Sequence, residues 1–169
     1  NHRTDLLAPN ALGRALYAPV YDMPGRPNVA RFVFLDPRAR DFFAEWDKVA
    51  AEAAAMLRTL AGENPYDQGL AELVGELSTR SEVFAQLWAR HDVRLHRTGV
   101  KTFHHPVVGD LTLAYEALDL AADAGLRLNA YVAEPGTPSA QAFSLLASWA
   151  ATPTRAAEPA RNPATASQG

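Results

Sequence analysis

The stretch GVKTFHHPVVGDLTLAYEALD (Gly99–Asp119) decides the fold, because here the apolar period of the chain changes from helical to two. Leu111, Leu113, Tyr115 and Ala117 fall on alternate positions and therefore share one face of an extended strand over Asp110–Asp119. Gly99–His105 is a strand of its own, and the Pro106–Gly109 connection is short enough only for an antiparallel neighbour. A third strand is expected over Arg127–Glu134, reached through Ala121–Gly125, with Leu128, Ala130 and Val132 on one face. The three together predict an antiparallel meander.

Upstream of Thr98 the pattern is helical. Asp5–Ala8 is a short strand candidate, and Asn10 caps a helix expected to run to about Ala18. Pro19, Pro24, Gly25 and Pro27 mark Ala18–Asn28 as a loop, and regular structure resumes at Val29. Asp36-Pro37 starts a long helix whose stripe of Ala39, Phe42, Phe43, Trp46, Val49, Ala50, Ala53, Leu57 and Leu60 ends at Gly62. A second amphipathic helix is predicted from Asp67 to Thr79, burying Leu70, Leu73, Val74 and Leu77. A third, capped by Ser81, buries Phe84, Leu87 and Trp88 and breaks near His91–Val93. Thr137-Pro138 repeats the cap-plus-proline start for a last helix, with Phe143, Leu146, Ala147 and Ala150 on one stripe.

The expected architecture is α+β, with helices inserted between an N-terminal strand and the three-stranded meander and covering its apolar face. Residues 1–151 form one domain, and 152–169, rich in Pro, Ala, Thr, Ser and Gln, form a tail expected to be disordered. The 169 residues, 48% of them hydrophobic, can fill one core. Without an apolar run of membrane length or a signal-peptide pattern, a soluble cytoplasmic protein with no membrane partner is expected. The absence of cysteine excludes a disulfide scaffold and cysteine-ligated zinc. A net charge of −3 argues against direct nucleic-acid binding by this chain.

Four spaced motifs carry a family resemblance: NVARFVFLDPRARDFFAEWD (Asn28–Asp47) with its Leu-Asp-Pro and Phe-x-x-x-Trp, ELSTRSEVFAQLWARHDV (Glu76–Val93), and FHHPVVGDLTLAYEAL (Phe103–Leu118) with its His-Pro-x-Val-Gly turn. Over Thr4–Ala150 the chain resembles the ligand-binding domain of MmyB-like transcription regulators. The resemblance implies a PAS-like fold, with a longer helical insert than is typical, whose cavity accepts a small apolar ligand, a fatty acid foremost. It also implies an upstream helix-turn-helix DNA-binding domain; the chain begins at Asn1 without an initiator Met. A cytoplasmic homodimer that senses its ligand is one expectation, and a ligand-free dimerisation module of the same regulator is the other.

If the helices cover the sheet, a ligand between them should touch residues among Phe34, Phe43, Trp88, His91, Phe103, Tyr115 and Tyr131, though aromatic stripes at these spacings are more often simple core. A carboxylate on the ligand would need a partner, and Arg31, Arg80, Arg90, Arg94, His91 and Tyr115 are the candidates. His91, His96, His104 and His105 cluster but lack metal-ligand spacing, and His104 and His105 point to opposite faces of a strand, so no metal or cofactor is expected. His105 is better read as anchoring the turn through Pro106. No nucleophile elbow, phosphate loop or cysteine nucleophile is present, so no catalytic residues are assigned and no enzyme is expected.

Overall fold

In the computed structural model, which describes residues 1–90, 98–123 and 125–151, the alternation in Gly99–Asp119 becomes two strands. These are β1 (Thr98–His105) and β2 (Gly109–Asp119), antiparallel in register from Thr98↔Glu116 to His105↔Gly109. β3 (Arg127–Val132) pairs with the second half of β2, from Asp119↔Arg127 to Ala114↔Val132, which makes the sheet order β1-β2-β3. The remaining stretch of β2 is met by α8 (Pro138–Ala151), where the Thr112 N–H donates to Ser139 Oγ at 2.9 Å. The α+β expectation holds, as does the antiparallel meander.

One face of the sheet is buried by the alternation of Phe103 and His105 on β1 with Leu111, Leu113 and Ala117 on β2. The expected face of β3 is corrected. Leu128 and Val132 are 55% and 61% exposed, and it is Tyr131 that turns inward, beside Tyr115 and within hydrogen-bond distance of Tyr17. A change of one position in register exchanges the two faces of a strand, and here the bulk and hydroxyl of Tyr131 outweigh the aliphatic pattern of its neighbours.

The long helix expected from Asp36 is also corrected, because it is two helices, α4 (Arg38–Phe42) and α5 (Trp46–Glu63). Consecutive residues of a helix point about 100° apart, so both rings could share one wide helical stripe, but a helical Phe43 could not pair its backbone with a strand. Ending at Phe42 and extending the backbone at Phe43 (φ −101, ψ 114) buries both, at 3% and 1% exposure. The extended link then bridges Phe103 and donates from the Ala44 N–H to Thr102 O at 3.1 Å, which shields the open edge of β1.

The N-terminal part departs from expectation in two more places. Asp5–Ala8 is no strand; Asp5 forms a single antiparallel bridge to Asn28. Ala18–Tyr21 is a short helix (α2) following α1 (Ala11–Leu16), tolerated because Pro19 stands in its first turn, where no N–H is required. The structure resuming at Val29 is α3 (Val29–Leu35). Asn10, Asn28, Asp67, Ser81 and Thr137 accept from backbone N–H groups in the first turns of α1, α3, α6 (Gln68–Arg80), α7 (Glu82–Ala89) and α8.

Asn28 is nearly inaccessible and does more than cap. Its Nδ2 donates to Asp5 Oδ1 at 2.9 Å and to Arg3 O at 2.8 Å, while its Oδ1 accepts from the Arg31 N–H and the Thr4 hydroxyl. His2 adds two ties, donating from its backbone to Gly125 O at 2.9 Å and placing Nε2 2.5 Å from Asp67. Gly125 has φ +86, and the His2 ring occupies the space a Cβ would take, so both constraints demand glycine. Residues 2–5 thus join α3, the start of α6 and the β2–β3 turn.

Two apolar clusters result. The first holds Tyr17, Phe32, Phe42, Phe43, Phe103, Leu111, Leu113 and Leu146 between the sheet and α1–α4, the start of α5 (Trp46, Val49, Ala50) and α8; the second holds Leu57, Leu70, Leu73, Leu77 and Phe84 among α5, α6 and α7. The tail expected at 152–169 lies outside the described residues. Among the described residues no helix is long and apolar enough to cross a membrane.

Two outcomes follow for stability. Phe103→Ala should cost about 3–5 kcal/mol in urea unfolding, as for large aromatic truncations in a core, whereas Val132→Ala should stay within about 0.5 kcal/mol. Equal costs would refute the face assignment. Burial pushes the Asp5 carboxyl up, but hydrogen bonds from Asn28 and Asn1 and the charges of Arg26 and Arg3 outweigh it and hold it below the usual range; the His2 contact lowers Asp67. Because both folded-state values lie below the unfolded ones, this stability is present above about pH 5 and is lost as pH falls through and below about 4. Unfolding midpoints measured down that range should drop less in Asp5→Asn than in the parent chain.

Candidate functional site

The inner face of the sheet has two unlike halves. In the first, Phe103 meets Phe42, Phe43, Tyr17 and Tyr131 with ring centroids 5.4, 5.7, 5.9 and 6.1 Å away, a packed aromatic cluster without room for a guest. His105 closes its end. The buried ring donates from Nε2 to Ala15 O at 3.0 Å and accepts the Val107 N–H at Nδ1, so it anchors the turn across Pro106 as expected, and His104 faces outward to Asp110.

In the second half the sheet offers Gly99, Lys101, Tyr115 and Arg127 to α5. β1 is approached closely by α4 and β2 by α8, but α5 makes no comparable approach to any strand. Long side chains span the interval. Arg127 places a guanidinium N–H 3.6 Å from Met56 Sδ, and Lys48, Glu52 and Met56, four residues apart, form one stripe of the helix. Tyr115 lies flat over Gly99, where a Cβ would come within 2.9 Å of the ring, and Lys101 Nζ sits 4.7 Å from the centroid of the same ring. Any side chain at position 99 would lift Tyr115 off β1.

Electrostatics sets this half apart. Burial lowers the Lys101 ammonium, and the charge of Glu52 opposes that shift while Lys48 reinforces it. Burial raises Tyr115, and the nearby negative charge of Glu52 raises it further. Tyr131 is pushed up to about 12 by burial, despite its bond to Tyr17, and Tyr17 rises well above the ordinary phenol value for the same reason. All three phenols are therefore protonated donors at neutral pH. The Tyr17 and Tyr131 hydroxyls, 2.5 Å apart, use one proton between them and leave the other free to donate.

The residues expected to line a pocket divide accordingly. Phe43, Phe103, Tyr115 and Tyr131 form one contiguous array, with Tyr115 and Tyr131 6.2 Å apart. Phe34 and Trp88 belong to the other cluster, on either side of Phe84 at 4.9 and 5.4 Å. His91 lies outside the described residues, as does Arg94. Of the other carboxylate partners considered, Arg31 and Arg80 are both taken by Glu76 at 2.7 Å, and Arg90 is exposed at the end of α7. Sequence reasoning missed Lys101 and Tyr17. Lys101 was accessible through the alternation Gly99, Lys101, Phe103, His105, whereas nothing in the sequence brings Tyr17 to a strand more than a hundred residues away.

Among the described residues, two surface depressions stand out, of about 240 Å³ beside Phe34, Trp46 and Val83 and about 470 Å³ along Ala44–Lys48; neither is lined by a strand residue. No group of three or more His, Cys, Asp or Glu there is placed to hold a metal ion.

No curated protein matches the chain. The family model described as the MmyB-like transcription regulator ligand binding domain, however, matches residues 1–146, which takes in every strand and all but the end of α8. The chain accordingly belongs to the family of MmyB-like transcription regulator ligand binding domains.

Proposed function

We propose that this chain is a PAS-like sensor module, a binding domain and not an enzyme, in which a small apolar ligand, a fatty acid foremost, enters between the inner face of the sheet and α5. Its occupancy alters DNA binding by a helix-turn-helix domain of the same regulator, through unequal affinity for two arrangements of the protein. The observation that carries this reading is the contrast between the two halves of the sheet: one sealed by rings, the other bordered by long side chains, Lys101 over the ring of Tyr115 and Arg127 beside Met56 of α5. Phe103 and Tyr131 would meet an alkyl tail, and Trp88 and Phe34 would feel the displacement of α5 through the second cluster.

A second reading, a dimerisation module without ligand, draws on the uncovered outer face. Val100, Ala114 and Val132 stand side by side across the three strands, Leu118 beside Leu128, and Leu145 and Trp149 are exposed on α8. Apolar area of that kind favours association.

Titration of saturated fatty acids of increasing length into delipidated protein separates the two. Under the sensor reading the melting temperature rises with ligand concentration, and affinity grows by roughly 0.8 kcal/mol for each buried CH₂ until the chain outgrows the space. A response without a length limit, or none at any length, together with a concentration-dependent dimer in sedimentation, would favour the second reading.

A further inference from the structure

β3 ends the sheet with an unprotected edge. The Ala44 N–H donates to Thr102 O and so occupies the outer edge of β1, whereas among the described residues only β2 lies along β3 and no backbone bond reaches its other edge. Exposed edges are commonly blunted by proline, lysine or a bulge. Arg127–Val132 (RLNAYV) carries none of these: its register with β2 is unbroken, and its single charge, Arg127, is paired to Asp119 at 2.7 Å. The direction of its peptide groups follows from a neighbouring bond. Leu120 N–H donates to Leu126 O, so by alternation Ala114, Glu116 and Leu118 form the hydrogen-bonded pairs with Val132, Ala130 and Leu128. The N–H and C=O groups of Arg127, Asn129 and Tyr131 therefore face outward along the open edge.

We propose that this edge is the contact between two copies of the chain, β3 pairing antiparallel with the partner's β3 about a twofold axis at Ala130, so that the two sheets become one. With the axis there, Asn129 exchanges both backbone bonds with the partner's Tyr131, and Leu128 stands opposite the partner's Val132. The apolar rows of the outer face then join end to end on both sides of the axis: Val100, Ala114 and Val132 of one copy run on into Leu128 and Leu118 of the partner subunit. An axis at Asn129 would instead set Leu128 beside the partner's Ala130 and end each row against the partner's Glu116. Charge does not oppose the self-pairing, because Arg127 is the one charged residue of the strand and Asp119 neutralises it. A contact this short buries little area, which puts the dissociation constant in the micromolar range. Two copies held on adjacent half-sites raise each other's effective concentration, and a weak contact is then sufficient. The pairing rests on self-association and not on the ligand, and it differs from packing of the outer faces because it leaves them open.

The chain has no cysteine, so a single introduced one reports the axis. In a non-hydrogen-bonded antiparallel pair the Cα atoms lie about 4.5 Å apart, within reach of a disulfide. Ala130→Cys should therefore cross-link to a dimer under mild oxidation, read on a non-reducing gel over a concentration series, while Ala114→Cys at the centre of the outer face should not. Asn129→Pro removes an outward N–H without removing a bond to β2, and it should suppress the Ala130→Cys cross-link and leave monomer in sedimentation. Amide exchange of the unaltered chain gives a reading that no variant can disturb: Asn129 and Tyr131 should gain protection as concentration rises. Cross-linking through Ala114→Cys in preference to Ala130→Cys would mean that the copies meet face to face, and the edge assignment would fall. It would fall equally if the chain stayed monomeric at every concentration with the exchange of Asn129 and Tyr131 unchanged. Fatty-acid titration of the same samples reads the ligand separately, so either proposal can fail alone.

Discussion

The burial of two adjacent phenylalanines under one strand governs much of this fold. The helix ends at Phe42, both rings reach the core, and the extended link that begins at Phe43 lies along the free edge of β1. Ending one helix and beginning another forgoes a few intrahelical hydrogen bonds, but the bridge to Phe103 and the Ala44 bond recover part of that, and two buried phenyl rings contribute several kcal/mol by area. The same break sets the direction of α5. It leaves α4 against β1 and starts α5 at Trp46, whose indole N–H donates to Val33 O. Met56, on the third turn of that helix, then comes within 3.6 Å of the Arg127 guanidinium.

The polar counterpart is the knot around Asn28. One side-chain amide caps α3, holds Asp5 and fixes residues 2–5, which in turn touch the β2–β3 turn at Gly125 and the cap of α6 at Asp67. A rearrangement of the sheet hairpin or of the helices would be felt in this segment. Buried amides and carboxylates in such an arrangement are valuable only when each is satisfied, and Asn28 and Asp5 are.

The aromatic array and the charged half of the sheet differ in how firmly they are packed. Rings packed edge to face are stiff and resist opening, whereas Lys101 and Met56 have many rotamers. A ligand-binding domain that is closed at one end and adjustable at the other fits the family to which the chain belongs.

The sequence by itself determined most of the element types from Val29 onward, several of the caps and the meander, because those depend on local periodicity and on short-range chemistry such as Asn10, Asp67 and Ser81 accepting from the next turn. It also marked most of the aromatic array, since Phe43, Phe103, Tyr115 and Tyr131 stand out by size alone. Only the tertiary structure decided which face of β3 is buried, where the helix after Asp36 breaks, and that Asp5 bridges Asn28 without becoming a strand. Each of those outcomes is settled by a partner remote in the chain: Tyr17 for Tyr131, Phe103 for Phe43, Asn28 for Asp5. Lys101 shows the same division. Its strand position follows from alternation, but the burial that lowers its ammonium is a matter of packing between elements that no local pattern encodes.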